Sequence, residues 1–353
     1  MDVLIIADDL TGALDSAVTL TGAGLRCVVA RRPGDIAAAL ALRPDVLGVS
    51  TASREGSVEA ARAAVAAAVD AVGALPGIVF KKVDSRLKGH VAGEVATLAE
   101  RSGRGRALVA PAIPVQGRVV AGGRLAGTGV AVPIDVAAAL AGSGLALDVP
   151  DAATDADLDG ALARALEGPA PLLVGAAGLA AALARRLAHG PWAVPAPRLA
   201  APILFAIGSH DPITLAQVDR LAASGMASVN EAPDGACPPS VGGNRVVRLV
   251  AGGGGAFDPG RAGARFADGI AQVVRAGGVG TLFGCGGETA DAILGALGAG
   301  VLAVDGEVLP GVPASRILLA GRPLQVVTKS GGFGGEDAMV AVVAAAEPRE
   351  GGR

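Results

Sequence analysis

VLIIADDLTGALDSA, residues 3–17, decides the fold. Five apolar residues run straight into two acids, then Thr11-Gly12, then an alanine- and leucine-rich stretch. An uninterrupted apolar run is a strand buried on both faces, which belongs in a parallel sheet covered by helices. The same cycle recurs downstream. Strands are expected at Val3–Ala7, Cys27–Ala30, Val46–Ser50, Ile78–Lys82, Ala107–Ala110 and Leu172–Gly175. Helices are expected between them, at Asp15–Gly22, Asp35–Leu42, Ser57–Val72, Gly89–Arg101 and Leu179–Leu187.

The cycle stops at PWAVPAPRLAAP, residues 191–202, where four prolines in twelve residues can hold neither a helix nor a central strand. A second series follows. Its strands are expected at Ile203–Ile207, Val246–Leu249, Gly280–Phe283, Val301–Val304 and Leu324–Thr328. Its helices are expected at Ile213–Ser224, Arg261–Ala276, Ala290–Leu297 and Asp337–Ala346, with a glycine loop at Gly252–Gly255. The expected class is α/β with two domains, residues 1–190 and 203–353, joined by a proline-rich linker at 191–202. Each domain is expected to be a mostly parallel sheet covered by helices, with an inter-domain cleft. A length of 353 residues agrees with two domains at about 100–200 residues each.

Composition narrows the function. Aromatics are 2%, with no tyrosine, which argues against a stacking platform for single-stranded nucleic acid. A net charge of −3 argues against a surface that tracks a phosphate backbone. Neither a signal peptide nor a membrane span is expected. Cys27, Cys237 and Cys285 are scattered, with no metal-ligand spacing, so a reducing, cytoplasmic setting is expected. Of 30 basic side chains only Lys81, Lys82, Lys88 and Lys329 are lysines. All four fall inside motifs that could carry chemistry.

In open α/β sheets ligands bind beyond the carboxyl ends of the strands. Asp8 and Asp9 stand there. Carboxylates in that place can hydrogen-bond hydroxyls, hold a metal or act as a general base, and one can equally cap the next helix. FKKVDSRLKGHVAGEV, residues 80–95, delivers Lys81, Lys82, Asp84, Ser85, Arg86 and Lys88 from one strand end, a loop suited to a carboxylate or phosphate. APAIPVQGR, residues 110–118, adds Arg118. The second domain holds AIGSHDPITLAQ (206–217), GCGGETADAI (284–293) and KSGGFGGED (329–337). Each is a strand, a glycine loop and a helix start, where backbone N–H groups can approach phosphate. The Walker and GxGxxG fingerprints are absent, as are HExxH and GxSxG.

Taken in order, ADDLTGALDSA, KKVDSRLKGHVAGE, APAIPVQGR, VGAAGLAAALA, IGSHDPITLAQ, GGETADAILGALG and KSGGFGGEDAM resemble the four-carbon acid sugar kinase family over residues 3 to about 345. The resemblance implies an ATP-dependent kinase that phosphorylates the terminal hydroxyl of threonate, erythronate or a 3-oxo-tetronate, with ATP and Mg²⁺ as cofactors. It implies a sugar-acid side of Asp8, Asp9, Lys82, Asp84, Ser85 and Arg118, and one acid among Asp8, Asp9 and Asp84 is expected to be catalytic, accepting the proton of the attacking hydroxyl. It implies a nucleotide side of Ser209, Gly286, Gly287, Glu288, Thr289, Lys329, Gly331 and Gly334. No metal ligand can be named. Arg86, Lys88 and His90 depart from the family loop, and Gly208-Ser209-His210-Asp211 departs from its Gly-Ser-x-Ser. The KVDS form looks more like the threonate and erythronate members. A non-catalytic sensor on this fold and a Rossmann-type dehydrogenase are the alternatives. The expected partners are a small sugar acid and ATP, with no nucleic acid and no membrane, and a homo-oligomer stays open.

Overall fold

The structure is a computed structural model and describes residues 1–239, 242–253 and 257–347. Positions 254 and 255 of the expected glycine loop lie outside the described residues. The chain divides into two compact units, Met1–Val194 and Pro195–Arg353.

The first unit contains the strands β1 (Val3–Ala7), β2 (Cys27–Ala30), β3 (Val46–Ser50), β4 (Ile78–Lys82), β5 (Arg106–Ala110), β6 (Arg118–Ala121), β7 (Arg124–Gly127), β8 (Ile134–Asp135), β9 (Ala146–Asp148) and β10 (Leu172–Gly175). Its helices are α1 (Leu10–Thr21), α2 (Ile36–Ala41), α3 (Val58–Val72), α4 (Val91–Ser102), α5 (Val136–Ala139), α6 (Asp155–Ala165) and α7 (Ala177–Leu187). The main sheet runs β2-β3-β1-β4-β10-β5-β9 with every pair parallel. Residues of β1, β2 and β3 are buried throughout, as a sheet covered on both faces requires. Ala7 registers with Ser50 on one side and Lys82 on the other, so the strands end together. A small antiparallel sheet, β6-β7-β8, is added after β5. Trp192, from the proline-rich stretch, belongs to this unit and donates its indole N–H to Thr19 O at 3.0 Å.

The second unit contains β11 (Leu199–Ala200), β12 (Ile203–Ile207), β13 (Ser228–Pro233), β14 (Arg245–Val250), β15 (Thr281–Cys285), β16 (Val301–Leu309), β17 (Val312–Leu319), β18 (Arg322–Lys329) and β19 (Ala346–Glu347). Its helices are α8 (Pro212–Ala223), α9 (Pro259–Arg275), α10 (Gly287–Leu297) and α11 (Ala338–Ala344). The strands β13-β14-β12-β15-β18 are parallel, and β17 and β16 continue from β18 as an antiparallel meander. Phe205 and Phe283, on adjacent strands, bury tilted rings 4.9 Å apart in its core. Asp211 and Asp258 cap α8 and α9, each with proline in the first turn.

The strands expected from the apolar runs form, whereas the parallel strands β9 and β13 and the helix α6 were not anticipated, and two expected elements differ in extent. Helix α1 begins at Leu10 rather than Asp15, because Asp9 caps it. The meander is longer than expected. The strand read at Val301–Val304 continues to Leu309 through bulges, and β17 was not anticipated. Burial there alternates, so no continuous apolar run announces the strands, and their turns at Gly311 and Gly321 look like any other glycines in this chain.

Candidate functional site

In the first unit, β1 leads through α1 to β2 on one side, and β3 leads through α3 to β4 on the other. The crevice of such a sheet opens where those directions part, between the carboxyl ends of β1 and β4. Asp8 and Asp9 leave β1 there and Lys82 ends β4. Arg54, from the loop after β3, completes the acid pair. Its Nε and Nη2 donate to the two oxygens of Asp8 at 2.7 and 2.8 Å, and its Nη1 donates to Asp9 Oδ2 at 2.8 Å. Burial works to raise the Asp8 pKa, but the Arg54 hydrogen bonds and the charges of Lys81, Arg54 and Lys82 outweigh it and hold the carboxyl below the usual range. Asp9 Oδ1 accepts Gly12 N–H at 2.7 Å as the cap of α1, while Oδ2 also accepts the Thr11 hydroxyl at 2.8 Å. Both acids can still accept a ligand hydroxyl.

The two adjacent lysines differ sharply. Lys81 is fully buried and paired with Glu94 Oε2 at 2.7 Å. Glu94 also accepts the Ser53 hydroxyl, and Ser53 is joined to Thr51 at 2.7 Å. Lys81 therefore braces the floor of the crevice and is closed to a ligand. Lys82 is also buried, but its Nζ donates to Val83 O at 2.9 Å and, among the described residues, has no carboxylate in ion-pair range. It lies against Gly12, where an added Cβ would come 3.1 Å from Nζ and 2.6 Å from Asp9 Oδ1. Asp84 Oδ1 accepts the backbone N–H of Arg86 at 2.9 Å and shapes the loop. Arg118 donates to Ser85 Oγ at 2.6 Å and to Thr128 O at 2.9 Å. Arg86 and Lys88 are exposed at the rim.

Sequence reasoning missed Arg54, Glu94 and Asp15. Arg54 has the signal of any polar residue just past a strand end, in TASREG. Asp15 closes the quoted ADDLTGALD stretch, one turn beyond Gly12 on α1. Burial pushes its carboxyl upward, the charge of Asp9 adds to this, and Lys82 and Arg118 oppose it.

The second unit repeats the arrangement at β12 and β15. Ile207, Cys285 and Lys329 end their strands in register. An added Cβ on Gly208 would overlap Thr289 Oγ1, and Gly286, at φ 101°, stands 3.5 Å by the same measure from the backbone N of Ser209. Lys329 is buried and donates to Ser330 O at 3.0 Å and Gly331 O at 2.8 Å, with no carboxylate in ion-pair range among the described residues. Burial depresses its pKa. Two residues of α8 tie down the following loop. Thr214 donates to Gly331 O at 2.7 Å, and Gln217 donates to Phe333 O and Gly335 O at 2.9 Å each. Ser209, Gly286, Thr289, Lys329 and Gly331 thus come together. Gly287 and the exposed Glu288 open α10, and Gly334 lies farther along, against Gln217 and Ala338. Among the described residues no group of three or more His, Cys, Asp or Glu could hold a metal, and no helix is long and apolar enough to cross a membrane.

Residues 3–137 match a family model described as a sugar-binding N-terminal domain, and residues 253–339 one described as a nucleotide-binding C-terminal domain. The chain is 34% identical to a D-threonate kinase of Cupriavidus necator, covering 96% of each chain. It is 32% identical to a D-threonate kinase of Bordetella bronchiseptica, covering 98% of this chain and 97% of the relative. Its fold is shared with a Salmonella typhimurium LT2 structure described as a putative tRNA synthase, at TM-score 0.75, 20% identity and 99% of both chains. At that identity the likeness speaks for the fold alone. With two kinases more than 30% identical along nearly the whole chain, this protein belongs to the four-carbon acid sugar kinase family.

Proposed function

We propose that this chain transfers the γ-phosphoryl group of ATP to the terminal hydroxyl of a four-carbon sugar acid, with D-threonate the first candidate. The observation that carries this reading is the chemistry at the two strand-end crevices. One has a buried ammonium without a carboxylate partner, beside acids and Arg118. The other has glycine loops around a second such ammonium. Three relatives aligned over at least 96% of this chain are D-threonate kinases, which favours threonate over the 3-oxo-tetronate of a more distant relative.

Phosphoryl transfer asks mainly for positioning and charge neutralisation. Lys82 and Arg118 suit the substrate carboxylate, and Asp8 and Asp9, fixed by Arg54, suit its hydroxyls. The backbone N–H groups at 287–289 and 330–332 suit the ATP phosphates, whereas those of Gly286 and Phe333 are taken by Lys329 O and Ser330 O. Lys329 shapes its loop from beneath and adds positive potential to it. Mg²⁺ commonly keeps its waters and takes one or two carboxylates together with substrate phosphates, so the absence of a three-ligand cluster is compatible with it. Asp211 is the carboxylate that fits. Its Oδ1 caps α8, whereas its Oδ2 faces Gly332, 3.3 Å from where a Cβ would stand. When bound, the ion would offset phosphate charge.

The direct test is a coupled assay of ADP release with D-threonate, L-threonate, D-erythronate and a 3-oxo-tetronate. Turnover is expected to be fastest with D-threonate. Absence of turnover with all four, together with no ATP binding by calorimetry, would overturn the reading.

A further inference from the structure

Resting on that kinase reading, we propose that Asp15 is the catalytic base: its carboxylate takes the proton of the attacking hydroxyl, from helix α1 rather than from the loops after the strands. Of the acids of those loops, Asp8 and Asp9 have both oxygens engaged elsewhere. Both oxygens of Asp8 accept from Arg54, and both oxygens of Asp9 are held by Arg54, Thr11 and the head of α1. One oxygen of Asp84 holds the turn to Arg86 and Lys88. Asp15 is half-buried and makes no hydrogen bond or ion pair among the described residues, so both of its oxygens are available to a ligand.

Its place on the helix points the same way. Residues three apart share a helix face. One turn before Asp15 on that face is Gly12, whose bare backbone lets Lys82 Nζ lie against α1. A substrate held by Lys82 would therefore meet Asp15 as the next side chain along. The charges acting on Asp15 are all groups of this crevice: Lys82 from β4, Asp9 from the head of its own helix and Arg118 from β6. Of the other elements against α1, β1, β2 and β3 carry no charged residue, and α7 brings Arg185, engaged by Asp159, and Arg186 in its last turn. Burial raises the Asp15 carboxyl and the charges of Lys82 and Arg118 oppose that rise, and a carboxylate of raised pKa suits a general base.

The step balances. The hydroxyl oxygen bonds to the γ-phosphorus as the bond from that phosphorus to the β,γ-bridging oxygen breaks. ADP leaves with that electron pair. The hydroxyl proton passes to Asp15 and then to solvent.

Asp15→Asn tests this with little change of shape. A fall in kcat of about 10²–10⁴-fold is expected, with the KM for D-threonate and the calorimetric affinity for ADP within a few-fold of wild type. In the wild-type enzyme kcat should fall on the acid side through an apparent pKa above the ordinary carboxylate value of about 4, and Asp15→Asn should lose that limb. A kcat within three-fold of wild type in Asp15→Asn would overturn the assignment while leaving the kinase intact. So would an acid limb that persists in Asp15→Asn and vanishes in Asp84→Asn. If Asp15→Asn does not fold, wild type and Asp84→Asn decide. A flat wild-type acid side, or loss of the limb in Asp84→Asn, removes Asp15 from the role. Failure of the underlying reading looks different, since wild type then turns over no four-carbon acid.

Discussion

The two units solve the same topological problem with different chemistry. In the first, the sheet order β2-β3-β1-β4 places a crevice between the first and fourth strands in chain order. In the second, β13-β14-β12-β15 does the same with its own first and fourth. The sequence has no internal repeat that would reveal this. At the first crevice the strand ends deliver charged side chains, and the loops are shaped by carboxylates such as Asp9 and Asp84. At the second they deliver glycines, and the loop after β18 is shaped by neutral or cationic donors, Thr214, Gln217 and Lys329, acting on backbone carbonyls. Strand order sets where a ligand can sit. The residues just beyond the strand ends set what it can be: a polyol acid needs side-chain charges, whereas phosphates are served by backbone N–H groups.

The lysines are the sharpest way to break that comparison. Lys81→Met leaves Glu94 buried and uncompensated, for which a loss of about 3–5 kcal/mol is expected. Chemical denaturation should show it, and Lys81→Met/Glu94→Leu should regain most of it. Recovery of nothing in the double variant would mean that the ammonium does more than pair. Lys82→Ala should behave differently although it is the next residue. With a charge-assisted hydrogen bond to substrate worth about 1.5–3 kcal/mol, the KM for D-threonate should rise about 10–100-fold while ATP affinity stays unchanged. A collapse of ATP affinity instead would reverse the assignment of the two crevices.

Gly208→Ala applies the matching test to the second crevice. The new methyl has no room beside Thr289. Overpacking of this kind costs about 1–3 kcal/mol, so ATP affinity should drop about 10-fold with the D-threonate KM preserved. If the added Thr289→Ala change, which removes the overlapping hydroxyl, restores ATP affinity, the close approach of the two loops is what the nucleotide needs. If Gly208→Ala binds ATP normally, the glycine serves packing alone.

Much of this was legible in the sequence, and the limits have physical causes. Continuous apolar runs gave the parallel strands because burial on both faces leaves no alternation to confuse them. The meander β16-β17-β18 and the small sheet β6-β7-β8 are partly exposed, and their turns are glycines in a chain with 54 of them, so they were harder to read. The strand-end rule found Asp8, Lys82, Ser209 and Lys329. It could not tell Lys81 from Lys82, since burial against Glu94 depends on where α4 packs. It left open whether Asp8 or Asp9 caps α1; Asp9 does, and Asp15 is an acid of the crevice with no hydrogen bond or ion pair among the described residues.

The smallest expected effect concerns pH. Asp8 is buried and its folded pKa is depressed, with Arg54 as the main opposing influence to burial. A carboxylate whose folded pKa lies below its unfolded value of about 3.9 stabilises the fold fully above that value. The contribution is lost as pH falls through the folded pKa. The chain should therefore lose stability below about pH 4, and the slope should weaken in Arg54→Met, where Asp8 loses its partner and its pKa rises. In that variant burial is opposed by the charges of Lys81 and Lys82 without Arg54, so the Asp8 share of the acid loss should shrink, and it reverses where the folded pKa passes the unfolded value. The second crevice offers a control: Lys329 is a buried cation held by two backbone carbonyls and the Cys285 side chain, with no ion pair among the described residues, so Lys329→Met should leave this acid slope as it is in wild type. If Lys329→Met changes the acid slope as much as Arg54→Met does, the slope does not originate in the first crevice.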